Sequence, residues 1–292
     1  GNYQHEFGDH NISAMAGYSW QHFGNQNANG RYYSDDCLGA DGKTSYKKDQ
    51  AATTPFSRYE EHFLVSFYGR LNYSYKSRYL LTGTLRYDGS SRFAPKSRWG
   101  LFPSLAAAWN IKQEPFMKGN KFFSELKLRY GWGVTGQESG IANYSYIPNY
   151  TMETESGWFV YSYNMGSDGR MTALTPQAYD PNTKWEETTT ENIGLDFGIF
   201  GGVLSGNIDL YKRTTKDLLN QVKIPMGANF SNTLLTNIGS MENKGLELGI
   251  TATPISNKDI SLVIGANVTF QNTRFTQLTT GNAKANKDYA IQ

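Results

Sequence analysis

The stretch "LLTGTLRYDGSSRFAPKSRWGLFPSLAAAW", Leu80 to Trp109, decides the architecture. Leu81, Leu85 and Tyr87 alternate with Thr82, Thr84, Arg86 and Asp88. After an Asp88-Gly89 turn signal the pattern resumes as Trp99, Leu101, Leu105, Ala107 and Trp109. A period of two marks a strand with unlike faces, so the spacing predicts strand, turn, strand. A soluble sheet alternates in the same way, with its apolar face toward a core. Where these leucines point decides what the chain is.

The same parity recurs along the chain. Ile12, Ala14, Ala16, Tyr18 and Trp20 alternate with Asn11, Ser13, Gly17, Ser19 and Gln21. Phe63, Val65, Phe67, Leu71 and Tyr73 stand against Ser66, Arg70, Asn72 and Ser74. Leu126, Leu128, Tyr130 and Trp132 oppose Lys127, Arg129, Gly131 and Gly133. Further segments begin near Asn192, Leu204, Gly245 and Ile260, and the whole predicts ten strands.

Composition narrows the class. The 292 residues suffice for one large or two ordinary domains. A net charge of +2 offers no strongly basic surface for nucleic acid. Cys37 is the single cysteine, so no disulfide can form within the chain. Aromatics make up 14% of residues, and mean hydropathy is −0.57. No apolar run approaches the ~18–20 residues of a membrane-spanning helix. A secreted all-β protein and an outer-membrane barrel both fit. The chain opens at Gly1 without an initiator Met or a signal peptide and stops in a polar stretch, so it is expected to be a piece of something longer.

Three features favour a membrane. The strands are ten or more residues long, against a globular mode of about 5–6 and the ~9–11 of a tilted membrane strand. The second face carries Arg70, Arg86, Asp88, Lys127, Arg129, Asp196, Asp209 and Glu247. These suit a wet lumen and are costly in a dry sandwich core. Trp20, Tyr73, Tyr79, Trp99, Trp109 and Phe270 lie near apolar strand ends, where amphipathic rings meet headgroups. An antiparallel sandwich with one solvated face remains the alternative. Connection lengths also alternate. Short links fall at Gly8-Asp9, Lys76-Ser77, Gly201-Gly202 and Ile255 to Lys258. Long external loops are expected at about 24–58, 135–185 and 217–241 and beyond Gln271. The link from Asn110 to Phe123 is long on the short side.

Six ordered phrases carry a resemblance. They are "LRYDGSSRF" (Leu85–Phe93), "RWGLFPSLAAAWNI" (Arg98–Ile111), "LKLRYGWGVTGQ" (Leu126–Gln137), "KWEETTTENIGLDFGIF" (Lys184–Phe200), "LYKRTTKDLL" (Leu210–Leu219) and "NIGSMENKGLELGITATPI" (Asn237–Ile255). With them the sequence resembles the SusC/RagA family of TonB-dependent outer-membrane transporters. The resemblance implies an all-β fold: an antiparallel transmembrane β-barrel wall, with residues 1–292 a part of a 22-strand barrel. It implies an N-terminal plug, which is expected to be absent from this chain, and energy from the TonB complex acting through that plug. It also implies a SusD-like surface lipoprotein as lid, glycan or peptide as substrate, and the outer membrane of a Gram-negative bacterium, with its lipid, as the location.

No catalytic constellation is found. His5, His10, His22 and His62 have no zinc spacing. Asp35, Asp36 and Asp41 lack the alternating ligands of a calcium loop and its closing Glu. Glu186, Glu187 and Glu191 beside Trp185 suggest paired glycosidase acids only until the family phrase assigns them to a strand start. Neither enzyme activity, a cofactor nor a metal is expected. Binding is the better expectation, through loop aromatics that can stack on sugars or pack on peptide side chains. Tyr144, Tyr146, Trp158, Tyr161 and Tyr163 are the candidates. Packing among loops or against the lid would use the same rings. Three functions stay open on the residues: wall of an energised importer, passive porin or adhesin barrel, and secreted carbohydrate-binding sandwich.

Overall fold

The computed structural model describes residues 1–27, 58–148, 150–152, 163–164, 170–171, 174–223, 233–277 and 289–290. Ten strands, one short and nine long, form the wall: β1 (Asn2–Phe7), β2 (His10–Asn27), β3 (Arg58–Tyr75), β4 (Tyr79–Ser90), β5 (Trp99–Asn110), β6 (Phe123–Gln137), β7 (Glu186–Ile199), β8 (Leu204–Lys216), β9 (Ser240–Ser256) and β10 (Ser261–Gln277). Spatial order follows chain order, and the two-residue strand Tyr289–Ala290 adds to β10. Every pairing is antiparallel. The sheet is open, as the wall of a larger barrel would be.

Register joins the apolar sets into continuous rows. Ile12, Tyr73, Leu81, Ala107, Tyr130, Ile193, Leu210, Leu246 and Phe270 stand opposite one another from β2 to β10. One residue along, Ser13, Asn72, Thr82, Ala106, Gly131, Asn192, Tyr211, Gly245 and Gln271 form the adjacent row on the other face. A slip of one residue in any pair would send a full apolar set to the polar side, so each register reinforces the next.

The burial is that of a membrane wall. Leu85 is 52% exposed, Leu210 55% and Phe270 60%. Among the described residues nothing covers this face. Apolar surface on this scale marks contact with a membrane or a partner. Its height agrees with lipid: from Trp99 to Trp109 a strand rises roughly 34 Å at about 3.4 Å per residue. A tilt of about 40° brings this to ~26 Å, matching the ~25 Å apolar band of outer-membrane barrels.

Aromatics bound the band. At the short-turn end Phe7, His10, Tyr75, Tyr79 and Trp109 follow one another across five strands, with ring centroids 5.1, 4.8, 6.4 and 6.5 Å apart. At the other end Phe67, Trp99 and Tyr87 stack in turn. The long β5–β6 link explains itself here. It folds into two short 3-10 turns, Ile111–Gln113 and Pro115–Met117, that place Glu114 under the lower belt. The Glu114 carboxylate accepts the Tyr79 hydroxyl at 2.7 Å and the Trp109 indole N–H at 3.0 Å, with the Arg78 guanidinium 3.5 Å away. Both rings therefore keep their polar tips satisfied while their bodies face lipid. The Tyr79 hydroxyl, then the Trp109 indole, hold the Glu114 carboxyl below the usual carboxylate range, with Arg78 adding to them.

Two expectations change in detail. Asp88-Gly89 is not the turn. β4 continues through both, pairing Asp88 with Gly100 and Gly89 with Trp99. A Cβ at Gly89 would lie 2.7 Å from the Trp99 ring, so glycine here serves close packing inside a strand. The link itself runs over 91–98 with a 3-10 turn at Pro95–Ser97. The loop bounds also tighten, because β2 extends to Asn27, β6 to Gln137 and β9 begins at Ser240. The 138–185 and 217–239 links carry small ladders of their own, Tyr150–Met152 with Leu174–Pro176 and Leu219–Lys223 with Thr233–Asn237.

Leu105→Arg in the intact receptor should cost about 2–4 kcal/mol, the scale for a cation near the bilayer midplane. Ala106→Gln, one residue along on the polar face, should be mild. Heat-modifiable mobility on gels reads both, and equal damage would overturn the assignment of faces. Glu114 gives a pH test. Its folded carboxyl is depressed, so its contribution is complete above the ordinary carboxylate range and is lost as pH falls through the folded value. The stability gap between the native protein and Glu114→Gln should therefore shrink on acidification from pH 7 to pH 3. A gap that widens on acidification would refute the latch.

Candidate functional site: the polar wall and the cap at the strand ends

The polar face is an organised lattice. Arg129 on β6 reaches the Asp196 carboxylate on β7 through Nε and Nη2, at 2.8 and 2.7 Å. The same Nη2 lies 3.1 Å from Asp209 on β8, which also accepts the Asn207 amide at 2.8 Å. Forked contacts of this kind fix both partners in direction as well as distance. Gly194 makes the space: a Cβ there would lie 2.4 Å from Asp209 Oδ1 and 2.7 Å from Arg129 Nη2. On β4, Arg86 pairs with Asp88 at 2.7 Å and donates to the buried Ser66 hydroxyl at 2.9 Å. Charges held this way line a wet interior and would be poorly placed between two dry sheets.

At the long-link end the family phrases meet in space. Pairing of β5 with β6 stops at Ser104 and Gly133, although β5 begins at Trp99 and β6 continues to Gln137. Phe93, Phe102, Ile141 and Trp185 gather there as a buried cluster, with Leu64, Val134 and Leu219 against it. The Phe93 and Trp185 rings lie 4.9 Å apart, and Phe102 meets Trp185 edge-on at 5.4 Å. The Trp185 indole donates to the Arg98 carbonyl at 3.0 Å. Gly100 and Gly136 admit the Phe102 ring, since a Cβ at either would lie within 2.4 Å of it.

A polar ring ties the same links together. Arg92 donates to Asn143 Oδ1 and to the Glu138 carbonyl. The Asn237 amide accepts the Lys184 N–H at 2.8 Å and donates to the carbonyls of Lys184 and Asp217. The Lys184 ammonium pairs with Asp217 at 2.8 Å, and Thr236 donates to Asp180. The described parts of three long links, 91–98, 138–185 and 217–239, are thereby tied to one another at this end of the wall. The resemblance phrases hold scaffold positions in this clamp: Phe93, Phe102, Gly136, Trp185, Asp217 and Asn237 each come from a different one.

Of the candidate binding aromatics, Tyr144 and Tyr146 lie beside Ile141 and Asn143 of the clamp. Tyr144 is 41% exposed with φ 63°, and Tyr146 is half-buried. Trp158 and Tyr161 fall outside the described residues, and of Tyr163 only the backbone is described, in a two-residue strand against Arg170–Met171. Asp35, Asp36, Cys37 and Asp41 also fall outside them. His10 contacts the Tyr73 hydroxyl and His22 the Glu61 carboxylate, at separate places on the wall. Among the described residues no three His, Cys, Asp or Glu side chains converge as metal ligands. Glu186 accepts the Leu219 N–H at 3.1 Å, a structural role. The clamp had one signal in the sequence. Phe102 is a large apolar residue at a polar-face position, flanked by Gly100.

Comparison with known proteins agrees with this geometry. The family described as "TonB dependent receptor-like, beta-barrel" matches residues 1–291. The TonB-dependent receptor SusC of Bacteroides thetaiotaomicron is 41% identical over 290 residues, covering 99% of this chain and 28% of that protein. The TonB-dependent receptor P39 of Formosa agariphila is 33% identical, covering all of this chain and 27% of that one. The chain thus spans between a quarter and a third of the length of these relatives. Among solved structures, the RagAB peptide transporter superposes with a TM-score of 0.75 at 25% identity, over 99% of this chain and 31% of that one. The outer-membrane transporter YddB from Escherichia coli shares the fold, with a TM-score of 0.59 at 13% identity over 94% of this chain and 32% of that one. With its rows of lipid-facing and lumen-facing residues, the chain belongs to the TonB-dependent receptor β-barrel family, is of the SusC/RagA type, and resides in the outer membrane of a Gram-negative bacterium.

Proposed function

We propose that this wall belongs to an energised importer that takes up a glycan or a peptide too large for passive pores. A plug moved by the TonB complex would open it, and a SusD-like surface lipoprotein would close it from outside. The carrying observation is the clamp. The described parts of the three long links are fastened to one another and to Phe102 of β5, which would give a lid protein a firm seat. The 41% identity to SusC and the superposition on the RagAB peptide transporter support the same reading. A passive porin would need an open lumen and has no use for a fixed seat. Within the polar lattice Asp88, Asp196 and Asp209 are engaged in ion pairs with Arg86 and Arg129, which suits a structural role.

Residues 1–292 are proposed as one part of the barrel domain, with the long links outside the cell and the short turns in the periplasm. Substrate contact is proposed for Tyr144, Tyr146, Trp158, Tyr161 and Tyr163, whose rings could stack on sugars or apolar side chains. The family fold does not choose between glycan and peptide, because loops set specificity.

Orientation is testable after Cys37→Ser removes the native thiol. A cysteine at Ser139 should react with an impermeant reagent on intact cells, and a cysteine at Ser77 or Lys258 only after lysis. Labelling of the second pair on intact cells would invert the proposal. Uptake has its own test. Tyr144→Ala combined with Tyr146→Ala should lower transport of the natural substrate severalfold while leaving the heat-modifiable barrel intact. Unchanged uptake would remove those two rings from the site. Residues 1–292 expressed alone should require detergent, given the exposed apolar rows. A monodisperse soluble monomer with a cooperative melt would restore the sandwich.

A further inference from the structure

On the lumen side of β2 to β10, the three rows next above the Arg129 and Asp209 row hold cations but no acid. The middle row runs from Met15 to Thr273 and includes Arg70, Thr84, Ser104, Gly133, Thr190 and Arg213. The row on its short-turn side, Ser13 to Gln271, carries no charge. The row on its long-link side, Gly17 to Phe102 and Thr135 to Phe275, adds Arg86, which Asp88 of the following row answers. Arg129 on the same face holds two carboxylates. Among the described residues neither Arg70 nor Arg213 has one within ion-pair distance: Arg70 donates from Nε to the Thr84 hydroxyl at 3.2 Å, and the Arg213 guanidinium lies 5.1 Å from the centre of the Tyr211 ring. Both arginines are exposed.

Each arginine has a tyrosine two residues away on the same strand and face, Tyr68 beside Arg70 and Tyr211 beside Arg213. A glycine on the neighbouring strand makes room for each ring. A Cβ at Gly17 would lie 2.5 Å from the Tyr68 ring, and one at Gly245 2.4 Å from the Tyr211 ring. The same pair of ring and guanidinium thus recurs at two stations, with the hydroxyls of Thr84, Ser104 and Thr190 between them. Five strand spacings of about 4.8 Å separate the stations, roughly 24 Å along the wall. With the strands tilted by about 40°, the row climbs ~15 Å along the barrel axis over that distance, so it is a ramp through the lumen. A stripe of cations without acids draws anions, and a guanidinium takes a carboxylate through two parallel bonds. We propose that this row is a binding track for an acidic glycan. Each arginine receives the carboxylate of a uronic acid, each tyrosine takes the adjoining sugar ring on its face, and the hydroxyls between them bond the intervening sugars. A peptide would bring an ammonium terminus, for which the three rows hold no acid. The proposal narrows the substrate of the proposed importer and rests on that reading for access to the lumen.

The test titrates the full-length receptor in detergent micelles by calorimetry. The probes are hexamers of galacturonate, mannuronate and guluronate, each beside its carboxyl-reduced neutral form, and hexaglutamate. At least one uronate should bind about tenfold or more tightly than its neutral form, the scale of two charge-assisted contacts. That preference should shrink as salt rises from about 0.05 to 0.5 M. Arg70→Gln combined with Arg213→Gln should abolish it while heat-modifiable folding persists. Lys258→Gln, in the β9–β10 turn, should leave it unchanged. No preference for any uronate, or a preference that survives the double variant, would overturn the track. Hexaglutamate binding as tightly as the best uronate would overturn the assignment to a glycan. If the double variant does not fold, Arg213→Gln alone should fold and lower the preference severalfold, and a full preference there would equally refute the track. Binding in micelles needs no energy source, so these outcomes stand apart from the importer reading, which uptake persisting without the TonB complex would overturn by itself.

Discussion

Hydrocarbon offers no hydrogen-bond partner, so each backbone N–H and C=O within the band must find one in the sheet. That constraint organises the rest of the molecule. It demands unbroken antiparallel pairing, which demands consistent register, which places all lipid-facing residues in rows. The row from Ile12 to Phe270 is the visible result. A water-soluble sheet can tolerate a frayed edge or a slipped strand because solvent replaces the lost bonds. Here a slip would lose backbone pairs and bring polar residues such as Asn72 or Asn192 into lipid together.

Where the band ends, the physics changes and so does the construction. At the short-turn end the chain must reverse within a few residues. Lys76 and Ser77 both accept positive φ values, 51° and 53°, in a turn whose geometry usually favours Asn-Gly. The longer β5–β6 reversal instead carries Glu114 back to the belt rings. At the other end the strands outrun their pairing, and an aromatic cluster fills the opening between β5 and β6. The glycines serve these fits. Gly89, Gly100 and Gly136 admit rings, and Gly194 admits the Arg129 ion pair. The smallest residues stand where the largest or most highly charged side chains cross a neighbouring strand.

The two faces also divide the labour of charge. On the polar side, Arg129 bridges Asp196 and Asp209 within the lumen wall, where water and protein dipoles share the load. On the lipid side, the paired charges include His22 with Glu61 and the group around Glu242, both toward the long-link end of their strands. The same pairing chemistry thus serves the lumen wall in one place and the outer face of the sheet in the other. The distinction rests on residue parity and height along the strand.

Strand number, the identity of each face and the alternation of short with long links were all legible in the residues. A period of two over ten or more positions has few other readings when half of those positions are Leu, Ile, Val and aromatic. Asp88-Gly89 was misleading because turn propensity is local, while Gly89 answers to Trp99 on the next strand. The clamp was hidden for the same reason. Phe93, Phe102, Ile141 and Trp185 are far apart in the chain, and no periodicity links them. The grouping of Lys212, Lys244 and Arg274 about Glu242 depends on register between three strands, and a one-residue change would scatter it. The sequence by itself determined which residues share a face, since that follows from backbone geometry within a strand. Only the tertiary structure decided which faces and strand ends meet, because that depends on pairing between segments that carry no local record of their partners.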